Sequence, residues 1–231
     1  MVDRYSIASD NKKIIETFSL DQKIKIPSIY NAAPTKSLPV LTMEDSGKPD
    51  FFTWGIMSKW SNNKSLSPKL FNVGFEEAFT KRSYKQAIEK RRCIILADGF
   101  YLWKPIAKKK QSPYYFFMDD RKPFGIAGIW EPDDEFDETK SANFMMITIP
   151  SSEMISTYQS DMPFVMNQGQ IEKWLDRNTH TDEINEFALS EQLKFSMHAV
   201  SPMIMDISNN SKDLIEPNKP ADQHGNYTLF G

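Results

Sequence analysis

RRCIILADGFYLWK, Arg91 to Lys104, is the stretch that decides the fold. Cys93 to Ala97 is a short apolar run holding two adjacent β-branched isoleucines, too brief for a helix and closed by Asp98-Gly99, so it reads as a buried strand. Gly99 to Trp103 is aromatic-rich and reads as its continuation, with Asp98-Gly99 as a bulge or turn between the two halves. Working outward, Tyr114–Met118, the turn DDRKP and Phe124–Trp130 read as a hairpin. Phe144–Ile149, Met162–Met166 and Phe195–Val200 read as further strands, and Phe51 to Trp60 as a strand leading into the polar loop SNNKSLSP. Helical spacing is confined to four places. These are Asp10 to Leu20 with Asp10 as cap, a segment capped by Ser83 and running to Arg91, Gln168 to Asp176, and Asp182 to Leu189. Strands outnumber helices and follow one another directly. That order predicts an α+β domain with a curved, largely antiparallel sheet rather than a βαβ fold. The domain is expected over residues 1–205, with 206–231 as a C-terminal extension or a tail packing on it, because the text there turns to Asn, Ser, Pro and Lys.

Composition supports this reading. Hydrophobic residues make up 40% of the 231-residue chain, enough for a core, so a disordered protein is excluded. No apolar run approaches the ~18 residues a membrane helix needs, and MVDRYSIASDNKK lacks the apolar region of a secretory signal. The lone Cys93 excludes an intrachain disulfide framework and fits a reducing compartment. The expectation is a cytoplasmic, monomeric protein without membrane contact. The net charge of −3 hides an asymmetry: residues 55–112 carry +9 and residues 113–231 carry −12. A basic centre of that kind is what a polyanion site needs, provided the fold gathers it on one face.

Searches for chemistry-bearing motifs fail. The chain has no GxGxxG, GxxxxGK[ST], HExxH, CxxC or GxSxG. His180, His198 and His224 are scattered and read as surface, strand and tail residues. No metal or other cofactor is expected.

A series of segments resembles one known family. In order they are MxxRYS at Met1–Ser6, YNAAPT at Tyr30–Thr35, TWGIMSKW at Thr53–Trp60, FNVGFEEAF at Phe71–Phe79, and the Arg91–Lys104 run itself. They continue with PYYF at Pro113–Phe116, AGIW at Ala127–Trp130, SDMPFVM at Ser160–Met166, AVSP at Ala199–Pro202 and LIEP at Leu214–Pro217. Together they are similar to the SRAP family, the SOS-response-associated peptidases that act on abasic sites. The resemblance implies a single α+β domain around a barrel-like sheet with a positively charged groove. It also implies recognition of single-stranded DNA or DNA ends carrying an abasic site.

In that family a cysteine exposed after Met removal closes on the abasic aldehyde with its amine and thiol, assisted by an asparagine, a glutamate and a histidine. Carried over position by position, the thiol is replaced by Val2, which cannot close the ring. Asn72 is kept. Leu102 stands at the glutamate and moves no proton. Gln159 or Ser160 stands at the histidine, and neither titrates near neutral pH. Gly74 stands where the family pattern has an arginine expected to hold a phosphate. Three roles missing together imply a member whose crosslinking and peptidase chemistry is lost, with Val2, Asn72, Leu102 and Gln159 as vestigial site positions. The expected nucleic-acid contacts are Arg4, Trp60, Asn72, Lys81, Arg82, Lys85 and Arg91, with Lys59 and Arg92 in the same basic set, and single-stranded DNA is the expected partner. Trp54, Trp103 and Trp130 are expected in the core. Two other readings stand beside it. One is a regulatory module with a protein partner and no nucleic-acid binding. The other is an enzyme rewired around Asp161 or His198.

Overall fold

The computed structural model describes residues 2–55, 70–107, 110–133, 141–188 and 193–220. The chain begins with strand β1 (Tyr5–Ile7) and helix α1 (Asn11–Phe18), followed by β2 (Ile29–Ala32), β3 (Ser37–Thr42), β4 (Asp50–Trp54) and β5 (Asn72–Gly74). Helices α2 (Phe75–Thr80) and α3 (Arg82–Lys90) come next, then β6 (Arg92–Ala97), β7 (Gly99–Ala107), β8 (Lys110–Met118), β9 (Phe124–Pro132) and β10 (Ala142–Pro150). The remainder is α4 (Glu153–Ser156), β11 (Asp161–Pro163), β12 (Val165–Met166), α5 (Gln168–Leu175), α6 (Thr181–Ala188), β13 (Phe195–Ala199) and two 3₁₀ turns at Pro202–Met205 and Lys212–Ile215. Among these elements no helix is long and apolar enough to cross a membrane.

Two sheets form. The larger closes on itself, because β10 pairs with β4 at one edge and with β9 at the other. The ring β10–β4–β3–β6–β9 is a five-stranded barrel, with β5, β11 and β12 attached. The α+β, barrel-like, largely antiparallel expectation holds, with β4 and β5 each running parallel to β10. The smaller sheet has the order β13-β8-β7-β1-β2 and is antiparallel throughout.

Strand alternation sorts the apolar residues of the barrel into two cores. Cys93, Ile95, Phe144 and Met146 face a core shared with Val2, Tyr5, Phe100, Leu102 and Phe116 of the smaller sheet. Ile94, Leu96, Met145 and Ile147 face the opposite side, which α1, α2, α3, α5 and α6 cover. β6 is therefore buried on both faces, which explains its unbroken apolar text. Arg92 belongs to this packing. Its guanidinium is buried and donates to the carbonyls of Ile88, Trp174 and Asp176, tying α3 and α5 to the barrel, so it is not a groove residue as the basic set supposed.

Three local expectations are corrected. First, Gly99–Trp103 does not continue β6 in its own sheet. At Asp98-Gly99 the chain leaves the barrel for the smaller sheet, and a Cβ on Gly99 would lie 2.2 Å from the Tyr115 ring, so only glycine fits the crossing. Second, Tyr114–Met118 and Phe124–Trp130 do not pair as a hairpin. β8 turns to β7 instead, where Phe116 stacks on Phe100 and Tyr115 meets Tyr101 at centroid distances of 5.4 and 5.0 Å. Third, Ser83 does not cap α3: Lys81 is the junction at which α2 passes into α3, and Ser83 lies in the first turn.

Residues 206–220 are strapped to the domain. Asn210 Oδ1 accepts from the Tyr30 and Asn31 amides, Asn31 Nδ2 donates to the Ile204, Asp206 and Asn209 carbonyls, and Leu214 is buried against Tyr101 and Tyr115.

Candidate nucleic-acid site

The start of the chain is held in place by a buried carboxylate. Asp98 Oδ1 accepts from Ser6 Oγ at 2.5 Å, and its Oδ2 accepts from the amides of Ala8 and Ser9 at 2.7 and 2.5 Å. β1 then runs antiparallel to β7, with Tyr5 opposite Phe100. Toward the N-terminus the Tyr101 amide donates to the Arg4 carbonyl, and Trp103 Nε1 donates to Asp3 Oδ1 at 2.8 Å. Val2 thus enters alongside the Leu102–Lys104 end of β7.

At that end several of the sequence-derived positions meet. Val2 is fully buried and shares a core with Leu102. Asn72, at the start of β5, donates through Nδ2 to the Val2 carbonyl at 2.5 Å, while its Oδ1 is buried without a protein partner. Gln159 follows α4 and Tyr158. The Tyr158 ring lies 4.9 Å from Tyr114, the cross-strand partner of Leu102, and Gln159 Nε2 is buried without a protein partner. Orphaned polar atoms inside a fold cost about 1–3 kcal/mol each unless a ligand or water meets them, so Asn72 Oδ1 and Gln159 Nε2 are open to such a partner.

The basic residues are distributed differently. Arg4 turns back on its neighbour, donating to the Asp3 carbonyl and lying 3.4 Å from its carboxylate. Lys81 is bridged to Glu77 at 2.5 Å and Lys85 to Glu89 at 3.9 Å along the helix faces. Arg91 makes a forked contact with Glu131, at 2.7 and 2.6 Å. Lys81, Arg82 and Lys85 line a cleft of about 620 Å³ between α2, α3 and α6, which also holds Glu76, Glu89 and Asp182, so its charge is mixed. Trp60 and Lys59 lie outside the described residues. Trp54 is buried in the core, with its indole donating to the Phe71 carbonyl; Trp130 is half-buried against that core, and Trp103 is half-buried against the separate cluster of Tyr101, Tyr115 and Leu214.

The residues of a rewired enzyme do not assemble. His198 packs on Tyr115 and Phe117 on the opposite face of the smaller sheet from Val2, its Nε2 2.9 Å from the Ile215 carbonyl. Asp161 is exposed and accepts from Ser160. Cys93 is buried in the barrel, and burial pushes its thiol well above the ordinary range, so it serves neither as nucleophile nor as ligand.

Sequence reasoning missed Lys104, Ser112, Tyr114 and Tyr158, which surround the Leu102 end of β7. Only the β7–β8 register brings them together, and no spacing in the text reveals it.

Comparison with known proteins bears on this geometry. A family model described as SOS response associated peptidase (SRAP) matches residues 1–207. The chain is 25% identical over 222 residues to the Abasic site processing protein YoqW of Bacillus subtilis, covering 94% of this chain and 99% of that one. It is 28% identical over 193 residues to YedK of Escherichia coli, described in the same words, covering 81% and 84% of the two chains. A crystal structure from Bacteroides thetaiotaomicron superposes with a TM-score of 0.75 at 18% identity, covering 94% of this chain and 99% of the other. One from Bordetella bronchiseptica gives 0.69 at 20% identity, covering 86% and 99%.

Proposed function

The chain belongs to the SRAP family, and on that premise we propose that it binds single-stranded DNA at abasic sites or ends without the covalent chemistry of a terminal thiol. A DNA-damage-related function follows from its relatives, which are abasic site processing proteins. One observation carries the finer reading. Val2 is buried where the chain start meets Asn72 and Leu102, so position 2 brings no thiol and the Leu102 position beside it brings no proton-carrying side chain. An amine and an aldehyde alone form only a reversible imine, and a stable ring needs the sulfur.

The test is a titration of a labelled single-stranded oligonucleotide carrying an abasic site, followed by fluorescence anisotropy at several salt concentrations. Salt-dependent binding is expected, with log K falling by about 0.7 per neutralised phosphate for each unit of log salt.

A second reading, a docking module with a protein partner, draws on Met203, Met205 and Ile207, which are about half exposed around the first 3₁₀ turn. It requires that the same titration show no salt-dependent binding.

A further inference from the structure

The cations of this protein divide by what neutralises them. Lys81, Lys85 and Arg91 are matched by Glu77, Glu89 and Glu131. Lys104 is half-buried and has no carboxylate within ion-pair range among the described residues. Its ammonium rests instead over two rings, 5.9 Å from the centroid of Tyr114 and 5.6 Å from that of Tyr158. An aromatic face stabilises the charged form without cancelling its charge, so the ammonium keeps its attraction for an anion.

Its position is as informative as its state. Phe100, Leu102 and Lys104 share one face of β7 by strand alternation, and the first two belong to the core that holds Val2. Opposite Lys104 in the β7–β8 register is Ser112, which is 1% exposed and whose Oγ has no protein partner. Next to Tyr158 is Gln159, whose Nε2 is a buried donor with no protein acceptor. The end of β7 toward Val2 thus carries a cation with no carboxylate partner among the described residues, a cross-strand hydroxyl with no protein partner, and, one residue beyond the ring under that cation, an amide donor with no protein acceptor. That set fits an acceptor-rich anion.

We propose that Lys104, with Ser112 and Gln159, forms the subsite for a DNA phosphodiester next to the nucleotide held at Val2 and Asn72. The inference rests on the DNA-binding reading and adds the residue that meets the phosphate.

The experiment compares wild type, Lys104→Met, Lys104→Arg and Lys12→Met on a labelled single-stranded oligonucleotide with a central abasic site, titrated across a range of salt. Lys12 lies on α1, against the other core. Lys104→Met is expected to weaken binding about three- to tenfold at low salt and to reduce the log–log salt slope by about 0.7, the share of one phosphate. Lys104→Arg is expected to restore the slope and Lys12→Met to leave it unchanged. Thermal melting of each variant confirms the fold. Should Lys104→Met unfold, Lys104→Gln takes its place. Wild-type binding with an unaltered slope in Lys104→Met overturns the subsite and leaves DNA binding standing. No binding by wild type overturns both.

Discussion

The α2–α3 helices and the Leu102–Lys104 end of β7 both carry basic residues, but they spend their charge in opposite ways. On the helices each of Lys81 and Lys85 faces a glutamate one turn away, and Arg91, just beyond α3, is held by Glu131. At the end of β7, Lys104 is held by rings, and the hydroxyl of Ser112, opposite it in the β7–β8 register, has no protein partner. A count of basic residues along the chain therefore overstates the helices and understates the strand. Exposed lysine–glutamate pairs contribute about 0–1 kcal/mol to stability, and they also lower the field available to a passing polyanion.

The contrast makes quantitative demands, the largest on Arg92. Replacing it by Ala leaves the buried carbonyls of Ile88, Trp174 and Asp176 without their donor, and a loss of about 4 kcal/mol in chemical denaturation is expected. Native stability combined with lost DNA binding would instead move Arg92 to the surface site. Asp98→Ala removes the acceptor that anchors Ser6, Ala8 and Ser9, and should cost about 3 kcal/mol. It should also weaken DNA binding, because the start of the chain is one wall of the proposed site. An Asp98→Ala protein of wild-type stability would show that the chain start is held by other means.

Cys93 sharpens the picture through pH. Its native thiol is pushed up by burial, whereas in the unfolded chain it titrates near ~8.5. The native state therefore cannot follow the unfolded state into the thiolate. The Cys93 contribution is fully present below the unfolded pKa, and stability falls as pH rises above it, by up to about 1.4 kcal/mol per pH unit. Cys93→Ala should flatten that limb of the stability–pH curve, and a curve of the same shape in both proteins would place the thiol in contact with solvent. The smallest effect is expected on the helices: Lys81→Ala, which breaks an exposed pair with Glu77, should leave the denaturation midpoint nearly unchanged and shift the salt slope by less than Lys104→Met does. A larger slope change at Lys81 than at Lys104 reverses the comparison.

Much of the fold was legible in the text. The β6 run, the Asp10-capped α1 and the α5 pattern lie where periodicity put them, because each obeys a local rule of burial or capping. The hairpin through DDRKP failed because the turn formers Asp119, Asp120 and Pro123 are equally suited to a hairpin or to a change of sheet. The choice between them lies in the Phe100–Phe116 and Tyr101–Tyr115 contacts across β7 and β8. The same register hid the site residues. Val2, Asn72 and Leu102 were reachable from motif positions, while Lys104 and Ser112 become neighbours only when β7 and β8 align. The pairing of Arg91 was also invisible, since Glu131 lies forty residues from it in the chain.

The most direct measurement mixes the protein with an abasic single-stranded oligonucleotide in the absence of reductant. One half is resolved on a native gel and the other on a denaturing gel after heating. Retarded DNA on the native gel with no heat-resistant adduct on the denaturing gel is the expected result. A heat-stable adduct would show that this chain closes a durable bond to the abasic aldehyde without a thiol at position 2, and the reading of a non-covalent binder would be wrong.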